Sequence, residues 1–523
     1  MSSQPPEQPK AAQPQALTGL KLGVTSIALA MGTFMQVLDI TIANVSIPTI
    51  AGDLGASADQ GTWILTSFAI ASGIALPLTG WLMGRYGAVK VFIWSMLLFT
   101  AASLLCGIAW SLSGLVVFRV IQGAVSGPLV PGSQALLLLI FPPHRRGTAL
   151  IIWSMTTLIA PICGPVLGGL ISDNYHWSWI FLINIPVGLI SAFIVWRNLW
   201  DFKTPTRKLP IDVIGLLLLI VWVGCLQIML DTGKNADWFS STTITVLAVI
   251  AAVGFATWIV WEWTDAHPIV DLHLFRISSF SVGTAAFCLG YMLFFSNLVI
   301  LPLWLQTQEH YTATWAGLIA APSGLVALVL SPFASKLMAR ADMRWGASFA
   351  FLMFAISFFM RANYTADASF FDFAAPLLVQ GVALSTFMVS IVTITVQGLP
   401  PEKIPSGSGI MNFARITGGG IAASIAVTFW DRREILHQSR LAESSSAYDP
   451  ALRHAMATLR DLGLSDVQAI AALTREMVAQ AYLLSSTDLA WFSGWASLAL
   501  MVMLWIPRKP KSELPAPQVA VAD

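Results

Sequence analysis

Three ionisable side chains stand deep inside long apolar runs: Asp39, Arg119 and Arg415. A charge at mid-bilayer costs at least about 2.5–3.5 kcal/mol, so each marks a functional position by default. Asp39 lies eighteen residues beyond Lys21, or roughly 27 Å along a helix rising about 1.5 Å per residue. With Lys21 among the inner headgroups, Asp39 falls in the outer half of the first apolar run. Arg119 lies nine residues inward from Trp110, also in the outer half of its run. The two charges can therefore share a depth. Gln36 lies on the Asp39 face, and Gly123 and Ser126 lie on the Arg119 face. The chemistry open to such a pair is proton coupling: a carboxylate binds and releases a proton as the site faces each side in turn, with the arginine biasing its protonation. The alternative is a static ion pair that fixes two helices. Arg415, with Asn412 and Gly419 on its face, is the expected matching polar group in the later part of the chain, nearer the inside. Polar residues within apolar runs supply the rest of an expected substrate cavity: Gln36, Gln122, Tyr291, Asn297, Gln380 and Asn412.

The elements that must position these groups are membrane helices. Of 523 residues, 56% are hydrophobic and only 11% charged, against about 25% charged in soluble proteins. Fourteen segments reach the roughly 20 mostly apolar residues that cross a bilayer, although some are shorter. They run at about 22–44, 60–83, 91–108, 112–137, 148–171, 179–196, 211–230, 242–263, 280–304, 314–337, 346–360, 371–397, 408–429 and 489–505. The chain also repeats itself. Val120-Ile121-Gln122-Gly123 with Pro142-Pro143 recurs as Leu378-Val379-Gln380-Gly381 with Pro400-Pro401, 258 residues later. Leu82-Met83-Gly84-Arg85 and Leu337-Met338-Ala339-Arg340 are offset by 255, and Thr62-Trp63 and Thr314-Trp315 by 252. Repeats in a membrane chain point to a transporter whose substrate path lies between the two halves. Arg119 has no counterpart in the second copy, where Leu377 stands.

The expected fold is an all-α membrane protein of two six-helix halves, 21–200 and 271–507, with two inserted helices at 201–270. Tails at 1–20 and 508–523 are expected to be cytoplasmic, the first disordered. With the amino terminus inside, eighteen Lys and Arg fall in cytoplasmic segments, and the short outer loops hold only Lys234 and Arg361, as orientation requires. A long polar outer loop at 430–488 holds two amphipathic helical patterns, one starting at Asp449-Pro450 and one capped by Ser465. These pack on the outer mouth or dock a partner. Span five sets Ala160, Gly164 and Gly168 on one face with Pro161, Pro165 and Gly169 interleaved, a pattern for close helix approach and a bend, and so for a hinge or seal.

What is missing narrows the function. Net charge is +1, which argues against a nucleic-acid partner. Cys106, Cys163, Cys225 and Cys288 all sit in apolar segments and read as packing residues rather than metal ligands or a disulfide framework. No P-loop, H-E-x-x-H or C-x-x-C occurs. No enzyme activity, metal or cofactor is expected, and an ion gradient is the simplest energy source for uphill transport.

Leu38-Asp39-Ile40-Thr41-Ile42-Ala43-Asn44-Val45, Arg119-Val120-Ile121-Gln122-Gly123, Gly164-Pro165-Val166-Leu167-Gly168-Gly169 and Trp179-Ile180-Phe181-Leu182-Ile183-Asn184-Ile185-Pro186 follow in order. In these the chain resembles the fourteen-span drug:proton antiporters of the major facilitator superfamily, the EmrB-type multidrug exporters among them. The resemblance runs through nearly the whole chain. It implies the major facilitator fold, with Arg119 in a motif linked to proton transfer and Gly164, Pro165, Gly168 and Gly169 in the antiporter motif. In the superfamily's gating loop after span two, Gly80, Leu82, Arg85 and Gly87 can be placed. Gly84 stands where an aspartate belongs, and Lys90 comes one position late. The usual carboxylate latch cannot form there. The resemblance further implies export of amphipathic, often aromatic compounds across a bacterial inner membrane in exchange for protons. It also implies a periplasmic adaptor of the EmrA type and a TolC-like outer-membrane channel. Open alternatives are a dedicated exporter of one metabolite, such as a siderophore or fatty acid, and a transport-inactive receptor or scaffold.

Overall fold

The computed structural model describes residues 17–506 apart from 57, 62, 143–144, 203, 205, 207–209, 235, 267, 310, 312, 339–341, 366–367 and 445–449. Most of the two expected tails, several inner-loop cations (Lys203, Arg207, Lys208 and Arg340) and Asp449 therefore lie outside the described residues.

Among the described residues the chain is helical, without strands. The first group comprises α1 (Gly19–Asp53), α2 (Ala58–Gly61), α3 (Trp63–Ala75), α4 (Thr79–Tyr86), α5 (Ala88–Gly107), α6 (Leu112–Ser126), α7 (Leu129–Ile140), α8 (Arg146–Asn174), α9 (Trp179–Leu182) and α10 (Asn184–Leu199). Next come α11 (Val213–Gly233) and α12 (Thr242–Thr264). The last group is α13 (Ser278–Thr307), α14 (Ala313–Met338), α15 (Met343–Arg361), α16 (Phe370–Val396), α17 (Ile404–Ser444), α18 (Pro450–Asp461) and α19 (Asp466–Met503). Local chemistry sets several starts. Ser111 accepts from the Gly114 N–H at 3.2 Å to cap α6, and Asp212 does the same for α11 through Gly215 at 2.8 Å. Gly87, at φ +92°, makes the tight turn between α4 and α5 that an L side chain rarely adopts.

Among the described residues eleven helices are long and apolar enough to cross a membrane, and two bent pairs raise the number to as many as thirteen. One pair is α3 with α4, bent by 53°, and the other is the two parts of α8, bent by 41°. Thirteen of the fourteen expected spans are among these. The last falls within α19, whose final half carries Ser485, Ser486, Asp488, Ser493 and Ser497 among its apolar residues and is too polar to qualify by composition.

Packing sorts the helices. In the first group α1 packs on α8, α10 and α7, while α6 packs on α3 and α5. In the last, α13 packs on α16, α17 and α19, and α15 packs on α16 and α19. α11 and α12 pair with each other and present large apolar side chains such as Leu217, Val249, Val253 and Val260 outward. Several contacts join the groups, α8 with α16 and α3 with α17 among them. At the end of the bundle where α1 begins, α4 and α7 meet α17, and at the other end α8 meets α14. At the first, a Cβ on Gly80 would collide with Ser406.

The polar segment at 430–488 is not a loop. α17 runs through to Ser444, and α19 starts at Asp466 and continues to Met503. α17 and α19 thus extend into a projecting helical hairpin tipped by α18. The reason is local. The segment is rich in helix formers, and the two extensions bury each other's inner sides. Trp430 Nε1 donates to Ser486 Oγ at 2.8 Å, and Arg433 Nε donates to Asp488 Oδ2 at 2.7 Å, where His437 also binds. The Ser465 cap forms, with Gln468 Oε1 accepting from the Ser465 N–H at 2.9 Å.

Candidate functional site

Asp39 and Arg119 meet, both wholly buried, and Arg119 Nη1 donates to Asp39 Oδ2. The site is larger than the pair. Asp39 Oδ1 accepts from Gln122 Nε2 at 3.0 Å and from Asn184 Nδ2 at 3.2 Å. Ser103 Oγ accepts from both amides, at 2.7 Å and 3.3 Å. Arg119 Nη1 also donates to Gln122 Oε1 at 2.7 Å, and its Nε to the Ile64 carbonyl at 3.0 Å. The guanidinium lies over the Phe68 ring, 4.2 Å from its centroid. Among the described residues Arg119 Nη2 has no hydrogen-bond partner. Five elements contribute: α1 the acid, α6 the arginine and Gln122, α5 Ser103, α10 Asn184 and α3 the Ile64 carbonyl.

This arrangement constrains proton chemistry. Three side-chain donors converge on one carboxylate, so both oxygens are occupied as acceptors. A proton on Oδ2 leaves that oxygen a lone pair for the Arg119 N–H but removes the negative charge that the guanidinium pairs with. A proton on Oδ1 must displace Gln122 or Asn184. Protonation of Asp39 therefore either displaces a donor from α6 or α10 or weakens the ion pair with Arg119, which ties the carboxylate's charge to the packing of the first group.

Close backbone approach holds the site together. A Cβ on Gly123 would stand 2.5 Å from the Phe68 carbonyl, so only glycine lets α6 and α3 meet there. A Cβ on Gly164 would collide with Thr41, and one on Gly168 would lie 2.9 Å from the Ile42 carbonyl. These are the residues just after Asp39 on α1. Gly169 faces open space, and the Pro165 side chain lies outside the described residues.

The expected cavity residues fall into three places. Gln122 belongs to the Asp39 network, and Gln36 sits nearby in the same group, donating to Ser72 Oγ at 3.2 Å. Tyr291, Asn412 and Arg415 lie on the α13–α17 side of the seam between the groups. Arg415 Nε donates to Asn412 Oδ1 at 3.3 Å, and its guanidinium lies 4.7 Å from the Tyr291 ring centroid. Asn412 Nδ2 donates across the seam to Gln134 Oε1 on α7 at 2.9 Å.

Asn297 and Gln380 sit deep in the last group beside Arg361. Arg361 Nη2 donates to the Asn297 carbonyl at 3.3 Å, and Asn297 Nδ2 to Ser493 Oγ at 3.0 Å. Asn297, Arg361 and Gln380 each follow Asp39, Ser103 and Gln122 by 258 residues. Gly381 approaches the Ser323 carbonyl as Gly123 approaches that of Phe68, again at 2.5 Å from a built Cβ. The later helices thus repeat the polar constellation with an amide in place of the acid. Sequence reading put Arg361 in an outer loop. It is the last residue of α15 and is buried.

In the gating loop, Gly80 packs on α17, Arg85 lies over the Trp81 ring at 5.3 Å and Lys90 over the Trp200 ring at 5.7 Å. Gly84 faces open space. Asn184, Ser103 and Gln134 were missed as functional candidates. Asn184 stood within a quoted motif, and the other two are polar residues inside apolar runs. Among the described residues no group of His, Cys, Asp and Glu could hold a metal ion. A groove of about 720 Å³ lies apart from the ionisable network, between α11, α12, α13 and α17, with apolar walls that include Trp222, Phe255, Trp258, Met292 and Phe413.

The sequence profile of the Major Facilitator Superfamily matches residues 29–423. The multidrug export protein EmrB of Escherichia coli (strain K12) is 46% identical over 501 residues, 95% of this chain and 98% of that one. The fatty acid resistance protein FarB of Neisseria gonorrhoeae is 42% identical, over 94% of this chain and 97% of its own length. Among solved structures, the human organic anion transporter MFSD10 superposes with a TM-score of 0.57 at 11% identity, covering 93% of this chain and 100% of that one, a likeness of fold.

Proposed function

The chain belongs to the major facilitator superfamily, and from that premise we propose that this multi-pass membrane protein is a proton-coupled multidrug exporter. Its 46% identity to a multidrug export protein over nearly the full length supports the exporter class. The observation that carries the coupling mechanism is the buried Asp39 carboxylate, with Arg119, Gln122 and Asn184 converging on it. We assign Asp39 as the proton carrier and Arg119 as its counter-charge. Gln122, Asn184 and Ser103 position them. Protonation weakens the α1–α6 ion pair or displaces a donor that α6 or α10 holds on α1. Because α1 packs on α8, and α8 meets α14 across the seam, that change reaches a contact between the two groups. The two groups of helices act as the moving halves, with α11 and α12 inserted between them in the chain and α19 as the fourteenth span.

Amphipathic substrates fit this reading. The apolar groove beside α11 and α12 offers a lateral route from the bilayer. The membrane would be a bacterial inner membrane with both termini cytoplasmic. The projecting hairpin then stands on the outer side, and its exposed Leu462, Val467 and Ile470 provide a surface for a periplasmic adaptor leading to an outer-membrane channel. A second reading, a dedicated exporter of fatty acids, is favoured by the 42% identity to a fatty acid resistance protein. Reconstituted proteoliposomes test the proposal. An imposed pH gradient should drive ethidium accumulation by the wild-type protein, and absence of gradient-driven movement for ethidium and for oleate alike would reject it. Movement of oleate alone would favour the dedicated exporter.

A further inference from the structure

The seam between the two groups of helices holds a buried cation that the coupling mechanism does not use. Arg415 on α17 is 2% exposed. Among the described residues no carboxylate pairs with it. Its neighbours are neutral: Asn412 Oδ1, the Tyr291 ring and the Phe287 ring, whose centroid is 5.6 Å away. Among the described residues Arg415 Nη2 makes no hydrogen bond of ordinary geometry, and Tyr291 is the other polar side chain beside the guanidinium. Across the seam Gln134, wholly buried on α7, accepts from Asn412 but leaves its Nε2 donor unused. Both unused groups are N–H donors, and a buried donor left unmade costs about 1–3 kcal/mol, more when charged. Arg119, by contrast, has its acid. An arginine kept dry without a counter-ion, walled by aromatic rings, at a contact that must part if the bundle opens there, is arranged to meet an anion that arrives and leaves.

We propose that Arg415, with Gln134 opposite, is the anchor for the carboxylate of anionic amphiphilic substrates. Tyr291 and Phe287 take the first part of the apolar body. The Gln134–Asn412 bond closes over the site when it is empty and parts when a substrate carboxylate takes up the Arg415 and Gln134 donors. This rests on the exporter reading but names a substrate class for the seam that reading left open.

The test is binding to the purified full-length protein, using oleate and its neutral methyl ester as matched probes. Wild type should bind oleate roughly tenfold or more tightly than methyl oleate, the scale of one charge-assisted hydrogen bond. Arg415→Leu should abolish that preference and leave methyl oleate binding within about twofold. Arg415→Lys should keep part of it, since the charge remains without the guanidinium fork. Gln134→Leu should weaken oleate alone. A purely architectural arginine predicts equal losses for both probes, and equal affinity of wild type for the two would overturn the proposal. Should Arg415→Leu fail to fold, the wild-type and Arg415→Lys ratios still decide. Failure of the exporter reading shows separately: charge-selective binding with no gradient-driven movement of either oleate or ethidium would leave the anchor standing and remove the antiport.

Discussion

Removing both charges of the Asp39–Arg119 pair should restore stability without restoring transport. Asp39→Asn keeps the shape and one acceptor oxygen but strips the counter-charge from a wholly buried guanidinium. Breaking a buried pair from one side costs about 3–5 kcal/mol, because a bare charge remains. Here Gln122 Oε1 and the Ile64 carbonyl still accept from Arg119, and the new amide oxygen can do the same, so the cost should sit near the lower end, about 3 kcal/mol. The new NH2 faces the Gln122 and Asn184 donors, which adds a polar clash that isosteric shape cannot relieve. Arg119→Leu leaves the complementary defect, a buried carboxylate held by two amides. The double variant Asp39→Asn/Arg119→Leu buries no bare charge and should be at least about 1–2 kcal/mol more stable than the two single losses sum to. Thermal unfolding in detergent, followed by tryptophan fluorescence, measures the first part. Ethidium uptake driven by a pH gradient in inverted vesicles measures the second, and all three variants should show none. Recovery of uphill transport in the double variant together with its stability would refute the coupling role and leave a static clamp.

Other expectations follow from the same geometry. Arg119→Lys should retain partial gradient-driven transport, whereas Arg119→Leu, which copies the residue at the repeat position, should have none. Near-normal initial rates for both would remove Arg119 from coupling. Gly164→Ala forces a methyl group into Thr41 on α1 and should cost about 1–3 kcal/mol with loss of transport. Gly169→Ala faces open space and should behave as wild type; melting curves and uptake on the pair would expose any reversal. Val467→Asp combined with Ile470→Asp should weaken drug resistance in whole cells while sparing vesicle transport. Lost vesicle transport at normal expression would mean that the hairpin serves the transporter itself and not a partner.

How far the sequence carried depends on which forces were in play. Helix rise alone put Asp39 and Arg119 at a common depth, and they meet because each is the other's cheapest partner in an apolar bundle. Gln122 was placed in the cavity on polarity, yet it is one helical turn from Arg119 and shares its face, a signal that was present. The 258-residue offset already linked Gln122 to Gln380, and extending it to Asp39 and Ser103 would have tied Asn297 to Asp39 and found Arg361. The hairpin was harder. Its residues have no long apolar run, so membrane reasoning passed over them, and only the packing of Trp430 on Tyr482 and the pairing of Arg433 with Asp488 join the polar stretch into two paired helices. Gln134 could not be singled out from one strand of sequence, because its role depends on which helix lies across the seam.

The most direct measurement of the central claim is proton release by purified protein in weakly buffered detergent solution, read with a pH indicator as ethidium is added. An antiporter that exchanges a proton on Asp39 for substrate must release protons when ethidium binds to the wild-type protein, and Asp39→Asn must bind ethidium while releasing none. Equal proton release from both proteins would contradict the account, because the titrating group would then lie elsewhere.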